Sequence, residues 1–342
     1  MPNPILTEAI DRLCRSEGLT TEETTGVLRE VMAGRASEAQ TAGLLIAFRT
    51  KGETVAEIAG MAQAMREVAV AVRPTGDGLV DTAGTGGGRP TFNVSTTAAF
   101  VAAGAGCTVA KHGNRSATGQ SGSADVLEAL GARIDLAPEA VAACIDELGF
   151  GFMFAPSHHP AMMHVVPVRR ELGVRTIFNF LGPLTNPAGA RRQLIGVSDA
   201  RFLDIMAGAL DRLGCDHALV VSSDDGLDEL SISGSSQIVE LRDGKIDAQR
   251  LTPESVGLES APQDSVAAGT PEKNAGVARR VLGGGAGPER DLTVLNAGAA
   301  VYVGGGAASI EEGVRLAERA IDSGAARDVL ERFVARTQEL AP

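Results

Sequence analysis

Hydrophobic periodicity is purely helical up to about residue 75 and mixed beyond it, and that change limits the fold more than any other feature. Before it, apolar residues recur at helical spacing: Ile5, Leu6, Ile10 and Leu13, then Val27, Leu28, Val31 and Met32, then Leu44, Leu45, Ile46 and Phe48, then Ile58, Met61 and Met65. Three S/T-x-x-E/Q boxes open such stretches, Thr20 with Glu23, Ser37 with Gln40 and Thr54 with Glu57. In each box the two side chains can satisfy the first free N–H groups of a helix. Short helices packed together are therefore expected. The run Arg73-Pro74-Thr75-Gly76-Asp77-Gly78 breaks the pattern with turn chemistry, so a helical domain is placed at 1–73, joined by part of a hinge region at 160–190.

From 74 to 342 short β-rich runs alternate with helical ones. The spacing predicts strands at 78–82, 107–111, 133–136, 150–154, 193–197 and 218–222, with helices at 124–130, 138–148 and 201–213 between them. Residues 237–242, Asp243-Gly244 and the stretch from Lys245 read as a hairpin. A last strand is expected near 294–303 and a helix at 310–322. The fold class is thus α/β: a small all-helical N-terminal domain and a larger domain with a mainly parallel sheet flanked by helices, whose ligands gather at the strand ends.

Composition narrows the function. Aromatic residues make up 3% of the 342 positions, with no Trp and one Tyr, against 42 Gly and an aliphatic-rich remainder, so the core must come from aliphatic groups approaching closely. Lys and Arg number 31 against 43 Asp and Glu, a net charge of -12 that opposes contact with a phosphate backbone, and base-stacking platforms are scarce. No nucleic-acid partner is expected. No apolar run approaches the roughly 20 residues that span a bilayer. Cys14, Cys107, Cys144 and Cys215 lie far apart with no C-x-x-C pair, and read as buried reduced thiols. The mixed charges of the first residues lack a secretory signal, which makes the cytoplasm the expected location.

The densest chemical signal is DTAGTGGGRPTFNVST at 81–96, between a strand pattern and a helix start. Glycines let backbone N–H groups approach an anion, and the helix N-terminus behind them favours negative charge. Arg89 stands where a dinucleotide fingerprint needs its third Gly, and the Gly-Lys-Ser/Thr ending of a P-loop is missing. A tight structural turn is the competing reading. Asn93, Ser95 and Thr96 offer groups suited to a phosphate or to metal-bound oxygens, or else to capping the helix. KHGNRS at 111–116 sets two cations, an imidazole and an amide at a strand end, and GQSGSAD at 119–125 adds Ser121 and Ser123. In SSDDGLDE at 222–229, Asp228 and Glu229 are hard oxygen donors able to hold Mg²⁺ on a polyphosphate. His158, His159 and His164 lack the spacing of a zinc site, and Arg169 or Arg170 beside them could grip a carboxylate or form a surface ion pair. NFLGPLTNP at 179–187 carries too many breakers for a helix and reads as a loop or hinge.

Taken in order, GTGG…TFNVST, KHGNRS, GSADVLEALG, HHPAM…PVRRELGVRTIFNFLGPLTNP, DDGLDE and GTPEKNAG…LNAGAA resemble the anthranilate phosphoribosyltransferase family over essentially the whole chain. The resemblance implies a nucleoside phosphorylase-like fold, a homodimer through the helical domain, and transfer of phosphoribose from phosphoribosyl pyrophosphate to the amine of anthranilate in tryptophan biosynthesis. It also implies Mg²⁺ as cofactor. By that likeness Gly84, Gly87, Gly88, Thr91, Asn93, Ser95, Thr96, Lys111 and Ser123 contact the donor. Gly84, His112, Asn114 and Arg169 meet anthranilate, and Ser95, Asp228 and Glu229 hold the metal. No side chain serves as nucleophile or general base, and Lys111 with the metal site stabilises the transition state.

One segment departs from the family, whose loop usually reads G-T-G-G-D-G with two more residues before T-F-N. Here Gly84-Thr85-Gly86-Gly87-Gly88-Arg89-Pro90 is one residue shorter and lacks the Asp, and Arg89 is expected to bring positive charge toward the pyrophosphate instead. Two alternatives share the architecture. A pyrimidine nucleoside phosphorylase would carry a K-x-S-x-G-G loop, which is missing, and a non-catalytic nucleic-acid-binding relative sits poorly with the net charge of -12.

Overall fold

A computed structural model describes residues 1–116 and 119–341. The N-terminal block is four helices, α1 (Pro4–Cys14), α2 (Thr21–Met32), α3 (Glu38–Lys51) and α4 (Val55–Glu67). Thr20 with Glu23 and Thr54 with Glu57 form complete capping boxes. The third box is only half made. Ser37 accepts the Gln40 N–H, but the Gln40 amide reaches across to the backbone N–H and carbonyl of Asn3 and so ties α3 to the start of α1.

The rest alternates as β1 (Val80–Asp81), α5 (Val94–Gly104), β2 (Val109–Gly113), α6 (Ser123–Ala129), α7 (Pro138–Leu148) and β3 (Phe150–Phe154). Three short helices follow, α8 (Ala155–His158), α9 (Val166–Leu172) and α10 (Phe178–Leu184). Then come β4 (Arg192–Gly196), α11 (Leu203–Arg212), β5 (His217–Ser223), β6 (Ser236–Arg242) and β7 (Lys245–Leu251). The chain closes with α12 (Pro271–Leu282), α13 (Pro288–Val303), α14 (Ile310–Asp322) and α15 (Ala325–Leu340). Strand order is β3-β2-β1-β4-β5-β6-β7, parallel through β5, with β6 and β7 added antiparallel as the expected hairpin. Asp243 and Gly244 at its tip both take positive φ, 51° and 75°, as a turn matched to the strand twist requires.

Alternate residues of one strand enter different cores, because successive side chains of a strand point to opposite faces. Leu194, Leu219 and Val221 join α5 and the C-terminal helices on one face, while Ile195, Ala218 and Val220 join α1 to α4 and α9 to α11 on the other. With few aromatic rings available, helices meet backbone to backbone. A Cβ at Gly313 would strike the Gly298 backbone across the contact of α13 with α14. Phe100, Phe150 and Phe333 are an exception: Phe100 stacks on Phe150 at a centroid distance of 4.2 Å, and Phe333 meets Phe150 edge-on at 4.8 Å.

Several sequence expectations fail here. Residues 133–136 form no strand, and the first strand keeps only two residues. The segment 294–303 is the buried end of α13, since a fully covered helix shows the same unbroken apolar run as a buried strand. The breaker-rich 179–187 segment starts within α10, where Pro183 lies one residue from the end and its missing N–H costs this short helix a single bond, while its carbonyl accepts from Gln193 at 2.6 Å. The four cysteines are free, but Cys14 is exposed and only Cys107 and Cys144 are buried. No helix among the described residues is long and apolar enough to cross a membrane.

Candidate active site

Strand order reverses between β1 and β4: β1 leads through α5 to one side of the sheet, and β4 through α11 to the other. Loops leaving two such strands diverge and open a crevice at their C-terminal ends. Here the glycine loop 83–92 leaves β1 and is pinned to the end of β4, with Thr85 N–H donating to Gly196 O at 2.8 Å. The loop after β5 carries Asp228 and Glu229 to the same place. A Cβ at Gly88 would sit 2.5 Å from Asp228 Oδ1 and 2.6 Å from Asp228 N, so that position requires glycine, and one at Gly84 would press to 3.0 Å from the Gly196 carbonyl. The backbone of Gly88 and Gly86 favours the charged Asp228 carboxylate, against the burial that raises its pKa. Gly87 lies under the Arg175 guanidinium.

Lys111 projects from β2 and is 1% exposed, its Nζ donating to Thr82 O at 3.2 Å and Thr82 Oγ1 at 3.0 Å. Burial lowers its pKa, against the attraction of Asp81 and Glu229. Asp81, fully buried, accepts the N–H groups of Ala83 and His112 at 3.1 Å on one oxygen and Asn186 Nδ2 at 2.7 Å on the other. Burial pushes its carboxyl up to about 6, opposed chiefly by Lys111. Glu229 is raised by burial and then by the like charge of Asp228, which burial raises too. Buried Lys111 and Asp81 thus stand beside the half-buried Glu229 and Asp228, so a cation or a polyanion entering the crevice is less screened than in open water.

Among the other expected donor contacts, Thr91 bridges to Ala267 and Ser95 O accepts Thr82 Oγ1 at 3.1 Å. Thr96 Oγ1 is buried without a partner among the described residues. Asn93 stands at the α5 N-cap position but does not cap. Its amide donates to Ser121 O at 3.1 Å, and its oxygen accepts from Ser121 Oγ and Asn274 Nδ2, both at 2.9 Å. This sews the glycine loop to the 119–123 segment, where Ser123 Oγ reaches Asn114 O at 3.4 Å. Asn114 is exposed at the mouth.

His112 is fixed through Nδ1 to Gly182 O at 3.0 Å, while its Nε2 is buried and unpartnered among the described residues. His159, with both ring nitrogens in that condition, lies 5.1 Å from it between ring centroids. Burial lowers the two rings to about 3 and about 4, which keeps both neutral. Arg169 stands on α9 with its guanidinium 5.5 Å over the Phe178 ring of α10, the helix that also touches His112. Burial alone lowers the Arg169 pKa, with no carboxylate among the described residues opposing it, which leaves the guanidinium free for one.

Two expectations about charge are corrected. Arg89 spends its guanidinium on Asp225 Oδ2 at 2.9 Å and Gln263 O at 3.2 Å, so it brings no free positive charge. Arg115 of KHGNRS is paired with Asp125 and Glu128, leaving Lys111 as that segment's free cation. Sequence reasoning missed Asp81, Asn186, Asn274 and Asn296 as organisers. Asn296, fully buried on α13, receives Leu230 N–H at 3.0 Å and donates to Leu230 O at 2.9 Å, clamping the chain just past Glu229. The signal available was a polar Asn inside an otherwise apolar helical run.

Comparison with known proteins matches this arrangement. A glycosyl transferase family matches twice, its helical bundle domain at residues 7–69 and its a/b domain at 76–327. The anthranilate phosphoribosyltransferase of Rubrobacter xylanophilus is 53% identical, over 98% of this chain and 99% of its own length. The crystal structure of the Thermus thermophilus enzyme of that name superposes with a TM-score of 0.92 at 50% identity, covering 96% of this chain and 99% of that one. The Saccharomyces cerevisiae enzyme in complex with PRPP and Mg has a TM-score of 0.89 at 27% identity, over 98% of both. With such likeness running through both the helical block and the switch-point crevice, the chain belongs to the anthranilate phosphoribosyltransferase family of enzymes.

Proposed function

We infer that the crevice transfers phosphoribose from phosphoribosyl pyrophosphate to the amine of anthranilate, releasing pyrophosphate. The observation that carries this reading is the convergence of buried Lys111, the Gly84–Gly88 loop and the Asp228–Glu229 pair at one switch point. Donor contacts are assigned to Gly84, Gly87, Gly88, Thr91, Asn93, Ser95, Thr96, Lys111 and Ser123, and anthranilate contacts to Gly84, His112, Asn114 and Arg169.

The acid pair fits Mg²⁺. Its donors are hard oxygens, and their mutual repulsion calls for a cation. That suits an ion bound through one or two carboxylates and substrate phosphates. Ser95, Asp228 and Glu229 would hold it, and when bound it would neutralise charge on the pyrophosphate. Lys111 and loop N–H groups stabilise the same departing polyanion. Arg169 turns the anthranilate carboxylate with its planar fork, and neutral His112 and His159 line a ring site without adding charge. The aryl amine itself attacks, so positioning replaces a protein nucleophile. Closure of the helical domain (1–73 with part of 160–190) over 74–342 would keep water from competing as acceptor.

Loss of anthranilate fluorescence that requires both phosphoribosyl pyrophosphate and Mg²⁺ is expected. No loss at any donor concentration refutes the assignment, and release of base from thymidine with phosphate would redirect it to a phosphorylase. The helical block leaves Ile5, Ile46, Met163 and Val166 exposed, which supports a homodimer through that face. Sedimentation should then give twice 35.1 kDa. A biosynthetic role supports a cytoplasmic location.

A further inference from the structure

The glycine loop and the acidic turn belong to different strands, yet they are locked to each other away from the reacting groups. Arg89 N–H donates to Gly226 O at 2.7 Å, and its guanidinium to Asp225 Oδ2 at 2.9 Å. The two side chains are only 19% and 5% exposed. Asp225 also receives Leu227 N–H at 3.1 Å and Ser231 Oγ at 2.8 Å, so it shapes the turn that leads directly into Asp228. On the opposite side Arg89 donates to Gln263 O, and Thr91 bridges to Ala267, which anchors the loop's outer end. Between these anchors Gly88 lies in contact with Asp228.

We propose that Arg89 and Asp225 are a positioning pair that sets the distance between the loop that takes the donor's phosphates and the acids that hold its metal. Neither residue touches substrate. The pair acts through the turn 224–228, and a rigid spacing matters because the donor–metal complex must meet both loops at once. Breaking the pair lets the two loops separate, which weakens donor binding and metal use and leaves the anthranilate side alone. The idea rests on the functional reading above for its kinetic consequences, while its structural claim stands on the geometry.

The test compares Arg89→Ala, Arg89→Lys, Asp225→Asn and the double variant Arg89→Ala/Asp225→Asn in the full-length enzyme. Each single removal should raise the donor KM and the Mg²⁺ concentration for half-maximal rate roughly tenfold, with anthranilate KM within about twofold and the double variant no worse than the singles. Arg89→Lys should recover part of the loss, because it retains the charge but not the fork. Calorimetric titration of phosphoribosyl pyrophosphate with Mg²⁺, without anthranilate, should show the same weakening. Equal effects on both substrates, or fully additive losses, overturn the proposal. Hydrogen exchange of the ligand-free protein gives a reading independent of activity: Arg89→Ala should speed exchange in both 84–92 and 224–230. Faster exchange in its own segment alone overturns the pairing even if catalysis is lost. A wild-type protein that consumes no anthranilate would sink the functional reading, and the exchange result would still judge the pair.

Discussion

Replacing Gly88 by Ala tests whether the contact between loop and acids governs catalysis. The added Cβ would lie 2.5 Å from Asp228 Oδ1 and 2.6 Å from Asp228 N, where ordinary contact begins at 3.4 Å. The carboxylate can swing aside, but the backbone nitrogen cannot, so the loops must part by roughly 0.8 Å. Overpacking of this kind costs about 1–3 kcal/mol. Because a displacement near 1 Å can cost about 10²-fold in rate, kcat/KM for the donor should fall by one to two orders of magnitude. Melting should drop by only a few degrees, since the strain is local. Gly76→Ala is the control: its φ is ordinary and nothing lies within 4 Å of the new Cβ. The assay is anthranilate fluorescence at fixed anthranilate with donor and Mg²⁺ varied. Wild-type kcat/KM and Mg²⁺ dependence in Gly88→Ala would refute the argument. Gly88→Asp, which puts back the family's usual residue, should do worse, because it adds a third carboxylate to the same contact.

Arg169→Ala should raise the anthranilate KM more than the donor KM, and steady-state kinetics in both substrates would reveal the reverse. Asp228→Asn with Glu229→Gln should reduce rate and flatten the Mg²⁺ response, checked by titrating Mg²⁺ at saturating donor. In the wild type, activity should change little as Mg²⁺ rises beyond saturation, and steep inhibition or activation there would count against the loop reading. His112 and His159 have folded pKa values near 3 and 4, below the unfolded value, so protonation favours the unfolded chain. Stability should therefore be lost as pH falls below about 6.5 toward 4, by about 1.4 kcal/mol per pH unit for each histidine. Urea denaturation of His159→Gln should show a correspondingly shallower slope between pH 6 and 4, and an unchanged slope would refute the burial argument.

Much of the site was readable as local pattern. Glycines before a helix, Lys111 at a strand end and adjacent acids in a turn each carry their chemistry in a few residues. Asp81 and Asn296 were marked only as single polar residues in apolar runs, a signal that looks the same whether the residue is an organiser or a surface position. Arg89 was misread for a related reason: its charge is visible in sequence, but its neutralisation by Asp225 across 136 positions is not.

Sequence alone determined the change of period near residue 75, the alternating α/β order, and motifs specific enough to indicate the family. Each depends on neighbours within a turn or a strand, where spacing dictates geometry. Tertiary structure decided what long-range contact controls. It made 294–303 a buried helix rather than a strand, and set which cations are spent and which are free. It also brought the Gly88 and Asp228 backbones so close that no side chain fits between them. Burial and charge pairing are properties of the assembled crevice, and they fix which of the motif residues can act.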